Sequence, residues 1–500
     1  MTNTTPPSST DTLSLSFFNP MTNATVGQNM TLSGNGQPNQ QGFALTEFVL
    51  EKDFFQPSNS FAITISNIGS QLTCENSISS WMQNGLACIV TINTNTQMVG
   101  YVFQYQLHIN RHRGTTVVFH LKDLLELMAQ GSCMPIMSPL KQLNYHFSAN
   151  TTLGQALTYI CQGFCDITGL PLNINVQADD SQDKQIASGF GVGVAVKGKT
   201  PASRQKSLTN ALNHLTIPDK GESYLAYMLR LAKHAGANLR MSDWQNNTII
   251  CKPPTYNRSV PTVYQLYHLL SAHNNLYLNN VKDAHYYFDN NEQYSCEIME
   301  ANTTASTGQF YQQTFKSIAL NELTAYPPGI SIPTTAVEQL QALNGSGNAN
   351  SISTAIQALT NGNLGVGYSI APFNEQLYAV AQSLPIQNTG ISLPHYSVNT
   401  NAHTAGSSGE CDFAASKALS EKQDKYCQFI YEVQGWSDSQ GYVWQPDMMC
   451  NILEETFSPC NPQNISMWIR RVTFTKSRGQ GTKTTLLLSL PYTHNFFLSD

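Results

Sequence analysis

Four groups of residues have types and spacings that chemistry uses. The first is Gly193-Val-Ala-Val-Lys-Gly198-Lys199-Thr200, which matches the phosphate-loop pattern G-x4-G-K-[ST]. That motif works when a buried strand precedes the loop and a helix opens at the Lys-Thr, so that amides and helix dipole face the phosphates. Here Ser188-Gly-Phe-Gly191 makes a poor buried strand, and no apolar strand ending in a metal-binding carboxylate stands out. A glycine-rich connection explains the stretch better, with a nucleotide-binding enzyme using Lys199 and Thr200 as the alternative.

The second group is His108 and His112, four apart, as on a metal-binding helix. They fall in a strand-and-turn context and lack the glutamate of a zinc protease, so no metal site is read. Cys161 and Cys165 are one helical turn apart on a helix that needs apolar residues there, and packing outweighs ligation or redox work. Glu222 stands at a helix start, where the dipole favours a carboxylate. It has no evident acid or base partner. Twelve histidines leave a Ser/His/Asp set open, yet no G-x-S-x-G elbow occurs. No catalytic residue, metal ligand or cofactor site is therefore expected.

Composition bounds the rest. Five hundred residues exceed one core and imply roughly three or four domains. Charged residues make up 12% of the chain, against about 25% in ordinary soluble domains, while apolar content is 41%. Asn, Gln, Ser and Thr fill the gap, as suits either a secreted particle or a protein that lives inside an assembly. A net charge of −6 argues against tight nucleic-acid binding. Met1–Thr12 lacks the features of a signal peptide, and no apolar run approaches the ~20 residues of a membrane helix, so synthesis in a cytosol is expected. Eleven scattered cysteines indicate buried thiols rather than a disulfide framework.

The elements that must carry these residues follow in order. Residues 1–42 read as a flexible polar arm. From Phe43 to His120 short alternating runs, such as Phe61, Ile63 and Ile65, indicate a small antiparallel barrel. The period then becomes helical: Asn150 or Thr151 caps a helix with Leu153, Leu157, Ile160 and Phe164 on its core face. Gly221-Glu222-Ser223 opens a second helix, which Gly236 stops. Residues 301–410 are too long for a structureless loop and read as an insertion with partial helix. Finally, Trp468, Val472 and Phe474 alternate with Arg471, Thr473 and Thr475, and after Ser477–Gly481 come Leu486, Leu488 and Leu490. That is a hairpin with one buried face, and it needs a partner sheet.

In three places the order of features resembles the baseplate central hub proteins of contractile phage tails, in particular the Mu-like tail protein group. One is the start, Phe54–Ile65 through Gly85–Ile92 to Gly100-Tyr101-Val102. Another is Gly221-Glu222-Ser223 through Leu229-Arg230-Leu231-Ala232 and Gly236-Ala237-Asn238-Leu239 to Pro253. The most specific is Gly435-Trp436, Gly441-Tyr442-Val443-Trp444-Gln445-Pro446-Asp447, Val472–Phe474, Gly481-Thr482 and Leu486–Pro491. Asp447 stands where the family pattern prefers Asn.

The resemblance implies a predominantly β, α+β chain with two small tube-like antiparallel β-barrel domains and an α+β domain between them. The expected parts are the arm (1–42), a first barrel (43–145), the α+β domain (146–256), a discontinuous second barrel (257–325 and 425–500) and a low-complexity insertion (326–424). Trp436, Trp444, Trp468, Phe474 and Leu488 are the structural or interface candidates. The implied role is a non-enzymatic homotrimer in the virion baseplate, assembled in the host cytoplasm. Its partners would be a tail tube or tube-initiator protein, a central spike and baseplate wedge proteins. DNA would pass through its lumen without specific binding. A hub with cell-wall hydrolase activity is a further alternative, without a recognisable paired-carboxylate segment.

Overall fold

The computed structural model describes residues 11–27, 29–66, 85–110, 114–133, 151–171, 174–178, 218–219, 221–234, 237–242, 247–254, 264–270, 279–289, 294–303, 313–321, 368–370, 376–377, 380, 393–399, 408–457, 463–477 and 481–493. The strands β1 (Thr12–Phe18), β2 (Met30–Ser33), β3 (Ala44–Asp53), β4 (Ser60–Ser66), β5 (Ala87–Ile92), β6 (Asn95–Asn110) and β7 (Gly114–Lys122) come first. Helices α1 (Leu124–Gln130) and α2 (Leu153–Thr168), strand β8 (Asn175–Ala178), helix α3 (Tyr224–His234) and strands β9 (Asn238–Met241) and β10 (Thr248–Lys252) follow. Then come β11 (Tyr264–His268), β12 (Val281–Phe288), β13 (Tyr294–Thr303), β14 (Gln313–Leu320), β15 (Tyr368–Ile370) and β16 (Leu393–Asn399). Helix α4 (Ser408–Tyr426) leads to β17 (Cys427–Gln434), β18 (Met448–Glu454), β19 (Gln463–Lys476) and β20 (Thr482–Ser489).

The chain divides into two compact units, one of Met1–Asp183, Thr216–His285 and Phe429–Leu488, the other of Lys184–Leu215, Tyr286–Gln428 and Ser489–Asp500. A predominantly β, α+β fold is what the sequence predicts, but among the described residues the two closed barrels are not present. Thirteen of the described strands instead form one open sheet, ordered β12-β17-β20-β19-β3-β4-β7-β6-β5-β1-β2, with β18 branching from β19 and β11 paired to β18. The reason lies in β19. Residues Arg471–Lys476 pair antiparallel with Asp53–Phe48 of β3, while Gln463–Ile469 pair with β18. The C-terminal hairpin does meet β17, as its apolar face requires, but its other edge joins the amino-terminal strands rather than closing a ring.

The expected arm is also corrected. Thr-Leu-Ser-Leu-Ser-Phe-Phe alternates, so β1 buries Leu13, Leu15 and Phe17, and pairs with β2 on one side and β5 on the other. Most of the polar residues around it belong to turns: Asn39, for example, accepts the Gln41 and Phe43 amides through its side chain.

Between the sheet strands lies the α+β part. Thr152, one residue later than the expected caps, closes a reciprocal capping box with Gln155 and starts α2. Its buried face is Leu153, Ala156, Leu157, Ile160, Cys161, Phe164 and Cys165, as the 3.6-residue period predicts, and Gly169 ends it in the left-handed region at φ 69°. Gly236, the expected stop of the next helix, lies outside the described residues. The strands β8-β10-β9 form a small sheet in which β10 runs parallel to β8 and antiparallel to β9.

In the second unit, β15-β14-β13-β16 form a separate four-stranded sheet. Tyr294–Glu300, expected in the second barrel, lies here, paired with β14 and β16. Helix α4 packs on this sheet, with Lys422 ion-paired to the buried Glu297 at 2.6 Å and Gln423 bonded to Asn321. The expected helical stretches Val337–Leu343 and Ile352–Leu359 lie outside the described residues.

Candidate functional site

The five aromatic and aliphatic candidates are all core residues of this chain: Trp436, Trp468, Phe474 and Leu488 are 0% exposed and Trp444 is 1% exposed. Trp436 meets Phe48 edge-on with ring centroids 5.0 Å apart, and Trp468 meets Phe54 at 5.1 Å. Trp444 lies 4.7 Å from Tyr264. Each indole therefore holds a late strand or loop against an earlier part of the chain. Such aromatic pairs add about 0.5–1.5 kcal/mol beyond the area they bury.

Around these rings runs a set of buried polar ties that the sequence did not single out. Asp11, 1% exposed, accepts the Trp436 amide at 3.1 Å, the Thr482 hydroxyl at 2.5 Å and the Asn93 amide group at 2.8 Å. Gly34 lies against the same pair, and a Cβ there would stand 2.6 Å from Thr482 Cγ2. Gly435, at φ 80°, passes its amide to Thr482 O and accepts the Thr484 hydroxyl. Lys52, 1% exposed, donates to Gln97 Oε1 at 2.9 Å and to Gln445 Oε1 at 3.4 Å, while Gln445 Nε2 donates to Gln97.

A third tie centres on Asp447. It adopts φ 63°, a left-handed conformation that Asn and Asp tolerate better than other side chains. That backbone requirement suits the Asp that stands here. One Asp447 oxygen accepts Trp468 Nε1 and the other accepts Arg240 Nη2, both at 3.2 Å. Arg240 in turn lies over the Phe54 ring, so β9 is fastened to the loop before β18 and to the end of β3. Such charge-assisted bonds offset the desolvation of a buried carboxylate.

The fourth tie brings a histidine to a buried acid. His268 Nδ1 lies 2.9 Å from Glu454 Oε1, and Tyr431 donates to Glu454 Oε2. The Thr456 amide also donates to Glu454, and Glu455 accepts the Leu270 amide. Both Glu454 oxygens are occupied by its neighbours, which fasten β11 and β17 to β18. The group is an inter-strand clamp.

The remaining sequence candidates separate. Gly193–Thr200 and His112 lie outside the described residues, and His108 is exposed on β6. Cys161 and Cys165 are buried on α2, and burial, with Cys165 beside it, pushes the Cys161 thiol up and keeps it protonated. Glu222 receives both Nε and Nη2 of Arg230, at 3.0 and 2.8 Å, and the Asp219 amide. Its carboxylate staples the start of α3. Among the described residues no group of three or more His, Cys, Asp or Glu is placed to hold a metal ion.

The molecule is thus of a definite class: a mainly β, α+β chain whose amino-terminal strands, small α+β sheet and C-terminal hairpin are fastened together by buried aromatic and polar ties. No family model and no curated protein matches the sequence. Solved structures do. The chain shares its fold with the tail protein from Neisseria meningitidis MC58, at TM-score 0.56 and 13% identity, over 97% of this chain and 98% of that one. It is similar also to the 43 kDa tail protein of prophage MuSo2 from Shewanella oneidensis, at TM-score 0.53 and 13% identity, over 96% and 99% of the two chains. The fold therefore bears out the resemblance read from the three collinear stretches.

Proposed function

We propose that this protein is a structural component of a contractile tail, the baseplate hub that joins the tail tube to the central spike. The observation that carries the reading is the end-to-end correspondence of fold with two tail proteins, over 97% and 96% of this chain. In this reading the hub is a homotrimer on the particle axis, and its strands line the channel through which DNA leaves. No catalysis is assigned to it.

Composition supports the role. A charged fraction of 12% and a net charge of −6 release few counterions from DNA, so passage through the lumen would not be slowed by tight binding. Low charge also suits surfaces that become interface cores. The experiment is size-exclusion chromatography with light scattering, followed by imaging of the particle tip. A trimer, and threefold density beneath sixfold rings, is the expected result. A chain that stays monomeric in the presence of tube and spike proteins overturns the reading.

A further inference from the structure

We propose that the cavity between the C-terminal half of α2 and the segment leading into β8 binds a basic segment of another chain, a Lys or Arg side chain with the residues beside it. The cavity has a volume of about 760 Å³ and is lined on one side by Thr158, Gln162, Cys165, Asp166 and Gly169 of α2. These positions recur at spacings of three and four, so they share one face of the helix. Leu170, Pro171 and Ile174 wall the other side, where Gly169, at φ 69°, turns the chain away from the helix axis.

Electrostatics decide what it takes. The Thr158 hydroxyl already donates to Gly154 O at 2.8 Å, which leaves Gln162 and Asp166 as the polar side chains of the cavity without a partner among the described residues. Asp166 stands in the last turn of α2, which carries no basic residue. The carbonyls of that turn give the helix end a negative partial charge, so the dipole opposes a carboxylate there and favours a cation. A carboxylate kept against the dipole, at an open cavity and with no cation beside it among the described residues, is complementary to an ammonium or guanidinium group.

Size and lining define the rest of the ligand. Cys165, Leu170, Pro171 and Ile174 offer an apolar wall to the methylene stem that Lys and Arg carry beneath their charge. A volume of about 760 Å³ lies in the range of cavities that take drug-sized ligands, well beyond what a lone alkylamine fills, so the residues flanking the basic side chain enter with it. The Gln162 amide, donor and acceptor at once, suits the peptide backbone of such a segment.

The test is calorimetric titration of the full-length protein with the peptide acetyl-Ala-Lys-Leu-amide. Its controls are n-butylammonium, the bare cation, and the same peptide with norleucine in place of lysine, which keeps the stem without the charge. Wild type is expected to bind the lysine peptide saturably, at least about tenfold more tightly than either control, and less tightly as salt is raised. Asp166→Asn is expected to weaken the lysine peptide about tenfold, as loss of a charge-assisted hydrogen bond does, and to melt no lower than wild type, because it removes a carboxylate from the negative end of α2. Absence of saturable binding by the lysine peptide overturns the site. Butylammonium binding as tightly as the peptide overturns a protein segment as the ligand, and equal binding of the norleucine peptide overturns the part given to charge. An Asp166→Asn protein that binds as wild type does, or that melts clearly lower, assigns the carboxylate to another role and overturns the proposal.

Discussion

The Asp11 carboxylate accepts the hydroxyl of Thr482, a hydrogen bond between residues 471 positions apart that ties the first described strand to the last. Asn93 and the Trp436 amide converge on the same carboxylate. One acid thus joins β1, the turn after β5, the loop after β17 and the start of β20. Asp11→Ala leaves three donors without their acceptor in a buried site. A loss of about 3 kcal/mol is expected, on the basis of charge-assisted bonds and orphaned donors, read as a lower urea midpoint. Gly34→Ala tests the same junction sterically. Its Cβ would lie 2.6 Å from Thr482 Cγ2 and 2.9 Å from Asp11 O, and overpacking of this kind costs about 1–3 kcal/mol. Midpoints equal to wild type would show that the junction contributes nothing.

Asp447 separates a backbone demand from an electrostatic one. Asp447→Asn keeps a residue suited to φ 63° and an acceptor for Trp468 Nε1, but removes the charge opposite Arg240. Arg240→Ala instead leaves the carboxylate buried with one partner fewer. It is expected to be the more damaging change, by about 3 kcal/mol against about 1 for the asparagine. Chemical unfolding of the two variants and their double mutant measures the coupling. Additive losses would mean that the pair is not coupled.

Asp123 gives the fold a pH dependence. It caps α1 and accepts the amides of Asn59 and Glu126, yet burial pushes its carboxyl from 3.8 up to about 7. Because the folded value lies above the unfolded one, this group's contribution to stability is complete below pH 3.8 and is lost as the pH rises through about 7. Asp123→Asn, which keeps an acceptor for Asn59, is expected to flatten the melting temperature across that window. An unchanged profile would assign the dependence elsewhere.

Phe474 and Leu488 are both 0% exposed, one on each strand of the C-terminal hairpin. Phe474 pairs with Leu50 of β3, so a charge there strikes the seam between the sheet halves. Phe474→Asp and Leu488→Asp are expected to abolish the cooperative melt, because the lost apolar side chain and a buried carboxyl without partners together cost a large share of the roughly 5–15 kcal/mol that keeps a domain folded. Soluble variants with wild-type melting would remove the hairpin from the core.

Local pattern made much of this legible. Alternation located β4, β5, β7, β19 and β20, and the 3.6-residue period located the buried face of α2, because each depends only on neighbours in sequence. The same rule was available for Leu13, Leu15 and Phe17, but the polar residues around them read as an arm, since turn and coil share a composition. Asp447 was visible as a departure from the pattern the sequence resembles, and its φ of 63° is one that Asp tolerates.

The sequence by itself determined the strands, the helix faces and the absence of a legible catalytic motif, all of which follow from short-range periodicity and residue chemistry. Only the tertiary structure decided that β19 pairs with β3, so that the two expected barrels are one open sheet. It alone decided that Asp11, Lys52, Asp447 and Glu454 are buried ties. The physical reason is that strand edges carry no label of their partner. A backbone hydrogen bonds equally well to any extended neighbour, and the choice among them is made by which side chains, hundreds of residues apart, pack and pair best.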